Sequence, residues 1–373
     1  MGVPMRRRLM MTTLGVLALV LAGASPAGAA TAWQVVAKPP LVLESRLVDV
    51  AATATGDAWA VGYQDAGYGG PVNPPRPYAL LHWDGATWSE RVLSDDVGGL
   101  SSISAATATD VWTAGADRQG LPYAAHWNGS AWQEYHPSLQ STSAVLYDVA
   151  AQGGRALFAG SDAYHAAVLE WDGQRFTKAT IPGAGRWYGG VRSVASAPDG
   201  AAFAVGDWDV DNAAYPEPMI VQRVGSAWRV ATLPKIPAAR LLSVWARSGS
   251  DAWAVGTQDY DSAPKPLILH WNGSSWQRVT APVAGGTLAA VSGDSSGNLW
   301  VSGGNPVPPY IQYPGSLFLR YAAGRWSTVY GPKVDNSDPY LSGLANVPGT
   351  STFWGVGAWG NQLGQSMALI EQV

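Results

Sequence analysis

Three aspartates at alternate positions, Asp207, Asp209 and Asp211, begin like a calcium-binding loop. Such loops coordinate the ion with oxygens at alternate positions, turn sharply at a glycine in the sixth position and close with a glutamate in the twelfth. Here Asn212 stands in the sixth position, and no glutamate stands in the twelfth. The pattern favours a solvated acidic loop, with a calcium site as the alternative.

Aromatic and basic residues surround these aspartates in two segments, GRWYGG and GDWDVDN. They supply Arg186, Trp187, Tyr188 and Trp208. Aromatic rings offer a face that stacks on sugar rings, while guanidinium and carboxylate groups hydrogen-bond to polar groups of a ligand. We predict that these residues and the three aspartates line one ligand pocket, and that Trp359 also contacts ligand.

Three arginines and a tyrosine hold comparable places in a repeat of the chain: Arg46, Arg192, Arg240 and Tyr340. Each stands near the start of the same predicted strand, so we expect them at the mouth of one channel. Guanidinium groups that converge can hold a carboxylate or a sulfate through charge-assisted hydrogen bonds.

Two further aspartates, Asp49 and Asp148, stand in a repeat column that otherwise holds Ser, Ala or Gly. A pair of carboxyl groups could act as a catalytic acid and base. The interpretation that we prefer is a hydrogen bond between each carboxylate and the backbone, inherited from the repeat. The sequence contains neither a G-x-S-x-G motif nor a phosphate-binding loop.

Two phrases recur along the chain and indicate the elements that must position these residues. The first resembles DAWAVG, and its aromatic residue stands at seven places: Trp59, Trp112, Phe158, Phe203, Trp253, Trp300 and Trp354. The second resembles HWNGSSW and alternates with the first. Successive copies are about 45–54 residues apart, which is typical of propeller blades.

Each period is predicted to contain four strands, a to d. Strand b contains the first phrase, strand c ends at HW, and strand d follows the Asn-Gly or Asp-Gly of the second phrase. These dipeptides favour a two-residue type I′ turn, because both positions need a positive φ. The tight c–d hairpin would set two Trp opposite each other, where they can pack against a neighbouring sheet.

The last period lacks strand d, and the segment TAWQVV near the N-terminus supplies a matching strand. We therefore predict an all-β, seven-bladed β-propeller over residues 30–373, closed by pairing of the N-terminal strand with the last blade. Closure removes the exposed sheet edges that an open array would present.

The repeats resemble those of kelch-like propellers of the galactose oxidase central-domain type. DAWAVG stands where a kelch repeat has its double glycine, and HWNGSSW stands where it has its Tyr and Trp. The oxidase chemistry is not implied, because it needs a cysteine-linked tyrosine and copper-binding histidines, and this chain has no cysteine. Three of its five histidines share one repeat column beside Trp, so no metal site is predicted: His82, His126 and His270.

Residues 1–29 have the pattern of a secretory signal peptide, with a basic start, an apolar segment and small residues before the cleavage site. No other long apolar segment follows, so we expect a secreted protein without a membrane span. The net charge of −4, without a basic block, argues against a nucleic-acid partner. We also expect a monomer.

Function is expected where the repeat breaks down, because loops on a regular scaffold carry binding specificity. The b–c and d–a connections share one rim of a propeller, and the b–c connections vary most in length. We predict an extracellular protein that binds a glycan or a protein through this rim and needs no cofactor. The alternative is a glycan-active hydrolase or lyase with its site at the channel mouth.

Overall fold

The computed structural model describes residues 1–2, 32–42, 44–64, 77–184, 188–209, 215–259, 263–305, 313–360 and 365–373. Apart from Met1 and Gly2, the predicted signal peptide lies outside these ranges and stays a prediction. The described residues form strands and turns, and they include no helix that could cross a membrane.

Seven four-stranded antiparallel sheets are present, and they confirm the predicted seven-bladed β-propeller. Blades 1 to 3 comprise β2 (Arg46–Ala54), β3 (Asp57–Tyr63), β4 (Tyr78–Trp83), β5 (Trp88–Glu90); β6 (Val97–Thr107), β7 (Asp110–Asp117), β8 (Pro122–Trp127), β9 (Trp132–Tyr135); and β10 (Val145–Gln152), β11 (Arg155–Asp162), β12 (His165–Trp171), β13 (Phe176–Lys178). Blades 4 and 5 comprise β14 (Tyr188–Ser196), β15 (Ala202–Asp209), β16 (Glu217–Val224), β17 (Ala227–Val230); and β18 (Ala239–Ser248), β19 (Asp251–Gln258), β20 (Lys265–Trp271), β21 (Trp276–Val279). Blades 6 and 7 comprise β22 (Thr287–Gly293), β23 (Leu299–Gly304), β24 (Leu317–Ala322), β25 (Arg325–Tyr330); and β26 (Tyr340–Asn346), β27 (Phe353–Gly360), β28 (Ser366–Gln372), β1 (Gln34–Ala37). The first strand named in each blade is strand a, which lines a central channel.

The N-terminal strand completes the last blade, as predicted. β1 pairs antiparallel with β28, with Gln34 opposite Gln372. Immediately before β1, Trp33 is 3% exposed, stacks on Phe318 at 4.0 Å and meets Trp300 edge-on at 5.3 Å. Both partners belong to blade 6, so Trp33 fastens the completed blade to its neighbour.

In five of the blades an aromatic pair across the c–d hairpin packs on the b-strand aromatic residue of the preceding blade. In blade 1, Trp83 and Trp88 pair across the hairpin, and their rings lie 5.5 and 5.3 Å from the ring of Trp354 in blade 7. Blades 2, 3, 5 and 6 repeat this packing. The repeat aromatic residues therefore form the contacts between blades, where they bury large apolar surfaces.

The c–d turns that contain Asn-Gly or Asp-Gly differ from the predicted type I′. In blade 1 four residues separate the paired Trp, and among Asp84 and Gly85 only the glycine has a positive φ, of 95°. Oδ1 of Asp84 accepts the N–H groups of Ala86 and Thr87 at 2.9 and 2.8 Å. Asp or Asn is thus required as a side-chain cap of the turn rather than for its own positive φ.

The repeated histidines join strand c to strand b. Their Nε2 atoms lie within 2.9 Å of b-strand carboxylates, and each ring lies against the b-strand Trp. The pairs are His82 with Asp57, His126 with Asp110, and His270 with Asp251. These contacts support the structural role predicted for this column.

Candidate functional site

A β-bulge in strand a of every blade decides which side chains face the channel. The pairing of strands a and b shifts register at the same repeat position in all seven blades. A bulge inserts one residue and redirects its side chain. The inserted residues all line the channel, which has a volume of about 740 Å³: Val48, Ser101, Tyr147, Arg192, Leu242, Ala289 and Ser342.

The glycine that ends each DAWAVG phrase makes room for this bulge. A Cβ atom added at Gly256 would lie 2.0 Å from the carbonyl oxygen of Arg240 in strand a. A Cβ atom added at the equivalent glycines of the other blades would lie 1.9–2.1 Å from a carbonyl oxygen of strand a: Gly62, Gly115, Gly160, Gly206, Gly303 and Gly357. Any side chain here would push strand a away, so the glycine column maintains the channel mouth.

One residue beyond the bulge, a second column ties each inner strand to the next. Oδ2 of Asp49 accepts the N–H of Ile103 at 2.9 Å, and Oδ2 of Asp148 accepts the N–H of Val194 at 2.8 Å. Serines make the equivalent bond in blades 2, 4 and 5. For Asp49 and Asp148, we preferred from the sequence hydrogen bonds of this kind, which join a carboxylate to the backbone and recur with the repeat.

The two aspartates also share one hydroxyl group. Oγ of Ser102 lies 2.7 Å from Oδ2 of Asp49 and 2.6 Å from Oδ1 of Asp148. A single hydroxyl proton can serve only one of them at a time. Burial raises the pKa of both carboxyl groups, and the charge of Asp148 adds to the effect on Asp49, whose pKa rises to about 7. The pair therefore retains protons that an unfolded chain releases.

This pair predicts a specific pH dependence of stability. A raised pKa means that the folded state binds more protons than the unfolded chain. The aspartate pair therefore stabilises the folded state below about pH 4, and this contribution is lost as the pH rises to about 7. Asp49→Asn should flatten this slope and raise the free energy of unfolding at pH 8 by about 1–2 kcal/mol. Urea unfolding at several pH values between 4 and 8 measures this dependence of the free energy of unfolding on pH.

The matched control is Asp84→Asn, because Asp84 is exposed and Asn occupies the equivalent turn position of blade 2. Its stability curve should keep the wild-type slope between pH 4 and 7. A wild-type protein whose stability rises with pH across this interval would contradict the shared-proton interpretation.

The predicted mouth residues form two groups on different blades. In blades 4 and 5, Asp207 is 5% exposed and lies between two arginines, 3.1 Å from Nε of Arg192 and 3.6 Å from Nε of Arg240. The guanidinium of Arg192 also lies over the ring of Tyr147, at 4.7 Å. One carboxylate thus holds two cations in place and leaves this side of the mouth with a net positive charge.

The second group joins blades 1 and 7. The guanidinium of Arg46 lies over the ring of Tyr340 at 5.4 Å, and Nη1 donates to the Tyr63 hydroxyl at 3.4 Å. Burial raises the pKa of Tyr340. No carboxylate of the described residues lies within 4.0 Å of Arg46, so its charge is balanced there only by aromatic faces.

The described members of the predicted ligand pocket do not share one face. Asp207, Trp208 and Asp209 are consecutive in β15, so their side chains alternate. Asp207 turns to the two arginines, whereas Trp208 packs into the apolar core of blades 3 and 4 and lines a separate hollow of about 380 Å³ with Glu217 and Lys235. Trp208 therefore lies in a strand rather than in the loop that we predicted.

Three other predicted pocket residues, Arg186, Trp187 and Asp211, lie outside the described residues. Because Asp207 already binds two guanidinium groups, it does not fit the first position of a calcium loop. A calcium site stays a prediction for the neighbouring acidic residues.

Trp359, for which the sequence predicted contact with ligand, is buried. It lies in β27 opposite Met367, is 6% exposed and packs with Val334 and Leu369. The Lys38 ammonium covers its ring at 4.7 Å. With its faces already occupied, Trp359 serves packing in this arrangement and does not enter the function proposed below.

An exposed group of tyrosines lies on the predicted rim; the sequence indicated Tyr188 but not Tyr164 or Tyr215. Tyr164, Tyr188 and Tyr215 are 64%, 58% and 53% exposed. The ring of Tyr188 stacks on His165 at 5.4 Å, and its neighbour Gly189 donates an N–H to the Tyr164 carbonyl at 2.8 Å. We call Tyr164, Tyr188 and Tyr215 the tyrosine patch; it spans the b–c and d–a connections of blades 3 and 4.

One group of described residues could hold a metal ion. His136, isolated in the sequence, lies 3.7 Å from Asp96 and 3.6 Å from Asp117. Asp117 is buried, and its Oδ1 accepts the N–H groups of Gln119 and Leu121. The sequence did not indicate this group, because its members come from three segments of blade 2 that only folding brings together: next to the start of β6, at the end of β7 and next to the end of β9.

Comparisons with known proteins identify the fold. No protein-family model and no curated protein matches the sequence. Among solved structures, YCF48 from Cyanidioschyzon merolae is 15% identical with a TM-score of 0.57, covering 91% of this chain and 98% of that chain. YCF48 bound to D1 peptide is 15% identical with a TM-score of 0.56, covering 90% and 96%. The GH74 xyloglucanase from Xanthomonas campestris is 13% identical with a TM-score of 0.55, covering 88% and 54%. These similarities show a β-propeller and do not distinguish a kelch type from others.

Proposed function

We propose that this protein is a secreted binding protein that recognises an extracellular glycan or protein through the tyrosine patch on the rim of blades 3 and 4. The observation that carries the proposal is the exposure of three large aromatic side chains on one stretch of one rim. Such exposure is unfavourable in water unless a partner covers the rings, and Tyr is enriched where proteins bind ligands.

The local structure supports recognition rather than chance exposure. Tyr188 is held by stacking on His165, and the backbone beneath it is bonded to Tyr164. Rings held in place lose little conformational entropy when a ligand binds. Arg186 and Trp187, which directly precede Tyr188 in the sequence, stay predicted ligand contacts.

The fold alone does not select the ligand. One propeller of similar fold is YCF48 bound to D1 peptide and another is a GH74 xyloglucanase, so this fold serves both peptides and glycans. Localisation outside the cell is supported by the signal-peptide pattern of residues 1–29.

Truncating the tyrosine patch should weaken binding without unfolding the protein. Tyr188→Ala and Tyr164→Asn should each lower the affinity for the strongest ligand of a glycan and peptide array by about 5- to 30-fold, the loss expected for a buried aromatic contact. Asn is chosen at position 164 because it tolerates the φ of 65° there. Titration calorimetry and thermal melting measure both effects.

The control for these variants is Val224→Ala, which removes a side chain that is 55% exposed on the opposite rim. It should bind like wild type. A melting temperature that falls strongly in Tyr188→Ala would show instead that this tyrosine is a packing residue.

Glycan hydrolysis is the second candidate, favoured by one observation. A hydroxyl spans two carboxyl groups with raised pKa in the channel, and retaining glycosidases place two carboxyl groups about 5 Å apart. Against it, all four carboxyl oxygens already accept backbone N–H groups. Release of sugar from a bound glycan that stops in Asp49→Asn and Asp148→Asn would overturn the binding-only function.

A further inference from the structure

A second concave surface lies beside the channel mouth, over blades 1 to 3, and shares no lining residue with the tyrosine patch. It encloses about 670 Å³ and is lined by Tyr63, Pro77, Gly99, Arg118 and Tyr147, among others. Small-molecule sites are typically concave, mostly apolar and about 300–1,000 Å³ in volume. We call it the glycine groove.

The groove exists because one side chain is missing from the ring of residues at the mouth. The equivalent positions in most other blades carry side chains: Arg46, Val145, Arg240, Thr287 and Tyr340. Blade 2 has Gly99, and a Cβ atom added there would meet nothing within 4 Å. At the only other glycine of this column, Gly190, the ring of Tyr147 lies 3.3 Å from the added atom and fills the space. Among the described residues nothing fills the space above Gly99, so this space is open to a ligand.

The wall of the groove is aromatic and apolar. Tyr63 and Tyr147 line it, with the side chains of Pro77, Val48 and Val145. Tyr147 is held by the guanidinium of Arg192, and Tyr63 by Nη1 of Arg46. A planar or nearly planar ring would find held aromatic surfaces here, with an open glycine as its floor.

The charges at the groove favour an anion. Arg118 borders it and is oriented by a hydrogen bond from Nε to the Asp95 carbonyl. Arg46 stands behind Tyr63, and among the described residues its buried Nε has no hydrogen-bond partner. Of the acids, Asp117 lines the groove, but its Oδ1 is occupied by the N–H groups of Gln119 and Leu121. Of the two charged side chains that line the groove, Asp117 is buried and Arg118 is exposed, so Arg118 carries the charge that a ligand would meet.

We propose that the glycine groove binds a small organic anion, in which an aromatic ring carries a carboxylate or sulfonate. The ring lies over Gly99 against Tyr63 and Tyr147, and the anionic group faces Arg118. The site is separate from the tyrosine patch, so it stands independently of the function proposed above.

Binding of 2-naphthoate to the full mature chain tests this proposal, with neutral 2-naphthylmethanol as the comparison ligand. Ligand-observed NMR titration should show 2-naphthoate binding at least tenfold more tightly than the alcohol. Gly99→Leu, which fills the groove from an open position, should abolish binding, and Arg118→Gln should weaken 2-naphthoate at least fivefold with little effect on the alcohol. Val224→Leu on the opposite rim should bind like wild type.

Equal affinity for both ligands, or unchanged binding in Gly99→Leu, would overturn the proposal. If Gly99→Leu lowers the melting temperature, Tyr63→Ala decides, because truncation introduces no clash; a fivefold loss is expected, and unchanged affinity would contradict the site. Tyr188→Ala should leave 2-naphthoate binding intact, which separates this site from the tyrosine patch.

Discussion

Trp33→Ala is expected to lower the free energy of unfolding by about 3–5 kcal/mol, the cost of removing a fully packed Trp ring. Trp33 lies between Phe318 and Trp300 of blade 6, immediately before the strand that completes blade 7. Its Nε1 has no hydrogen-bond partner among the described residues, so the loss is one of packing and ring closure. Urea unfolding followed by tryptophan fluorescence measures it.

The control lies in β1, three residues after Trp33. Val36 is 45% exposed, so Val36→Ala should change stability by no more than about 0.5 kcal/mol. A similar small change in Trp33→Ala would mean that the N-terminal strand contributes little to the closed ring, and the placement of the blades would then need another explanation.

Gly256→Ala is expected to lower the free energy of unfolding by about 2–4 kcal/mol, which reaches or exceeds the upper end of the usual range for overpacking. The added Cβ would stand 2.0 Å from the carbonyl oxygen of Arg240, which is backbone and cannot rotate away. Strand a must then shift, and with it the bulge that places Leu242 in the channel. Thermal and urea unfolding of the variant measure the loss.

Gly99→Ala is the matched control, because it adds the same methyl group at a mouth glycine with nothing within 4 Å. Its stability should stay within about 0.5 kcal/mol of wild type or rise slightly, since alanine restricts the unfolded chain. If Gly256→Ala proved as stable as Gly99→Ala, the bulge would not be the reason for the repeat glycine.

The blades, their number and their closure could be predicted because those features repeat. Seven aromatic residues at blade spacing and a missing last strand are visible without coordinates, and the structure places TAWQVV where the gap requires it. Packing between blades is equally repetitive, so the aromatic pairs of the c–d hairpins were identified by their column.

The candidate site was harder to predict because it depends on local geometry. The alternation of β15 separates Asp207 from Trp208, although the two are adjacent in sequence. A bulge, which leaves no distinctive residue at the inserted position, directs Tyr147 and Arg192 into the channel. The exposure of Tyr164 and the burial of Trp359 depend on neighbours distant in sequence, so residue type alone pointed to Trp359 and overlooked Tyr164.

Hydrogen–deuterium exchange with the strongest ligand from the glycan and peptide array tests the central claim most directly, because it shows which rim the ligand covers. We predict slower exchange in peptides that span Tyr164, Tyr188 and Tyr215, with no change in the c–d turns on the opposite rim. Protection confined to those turns, such as the turn at Asp84 and Gly85, would contradict the assignment of ligand binding to the tyrosine patch.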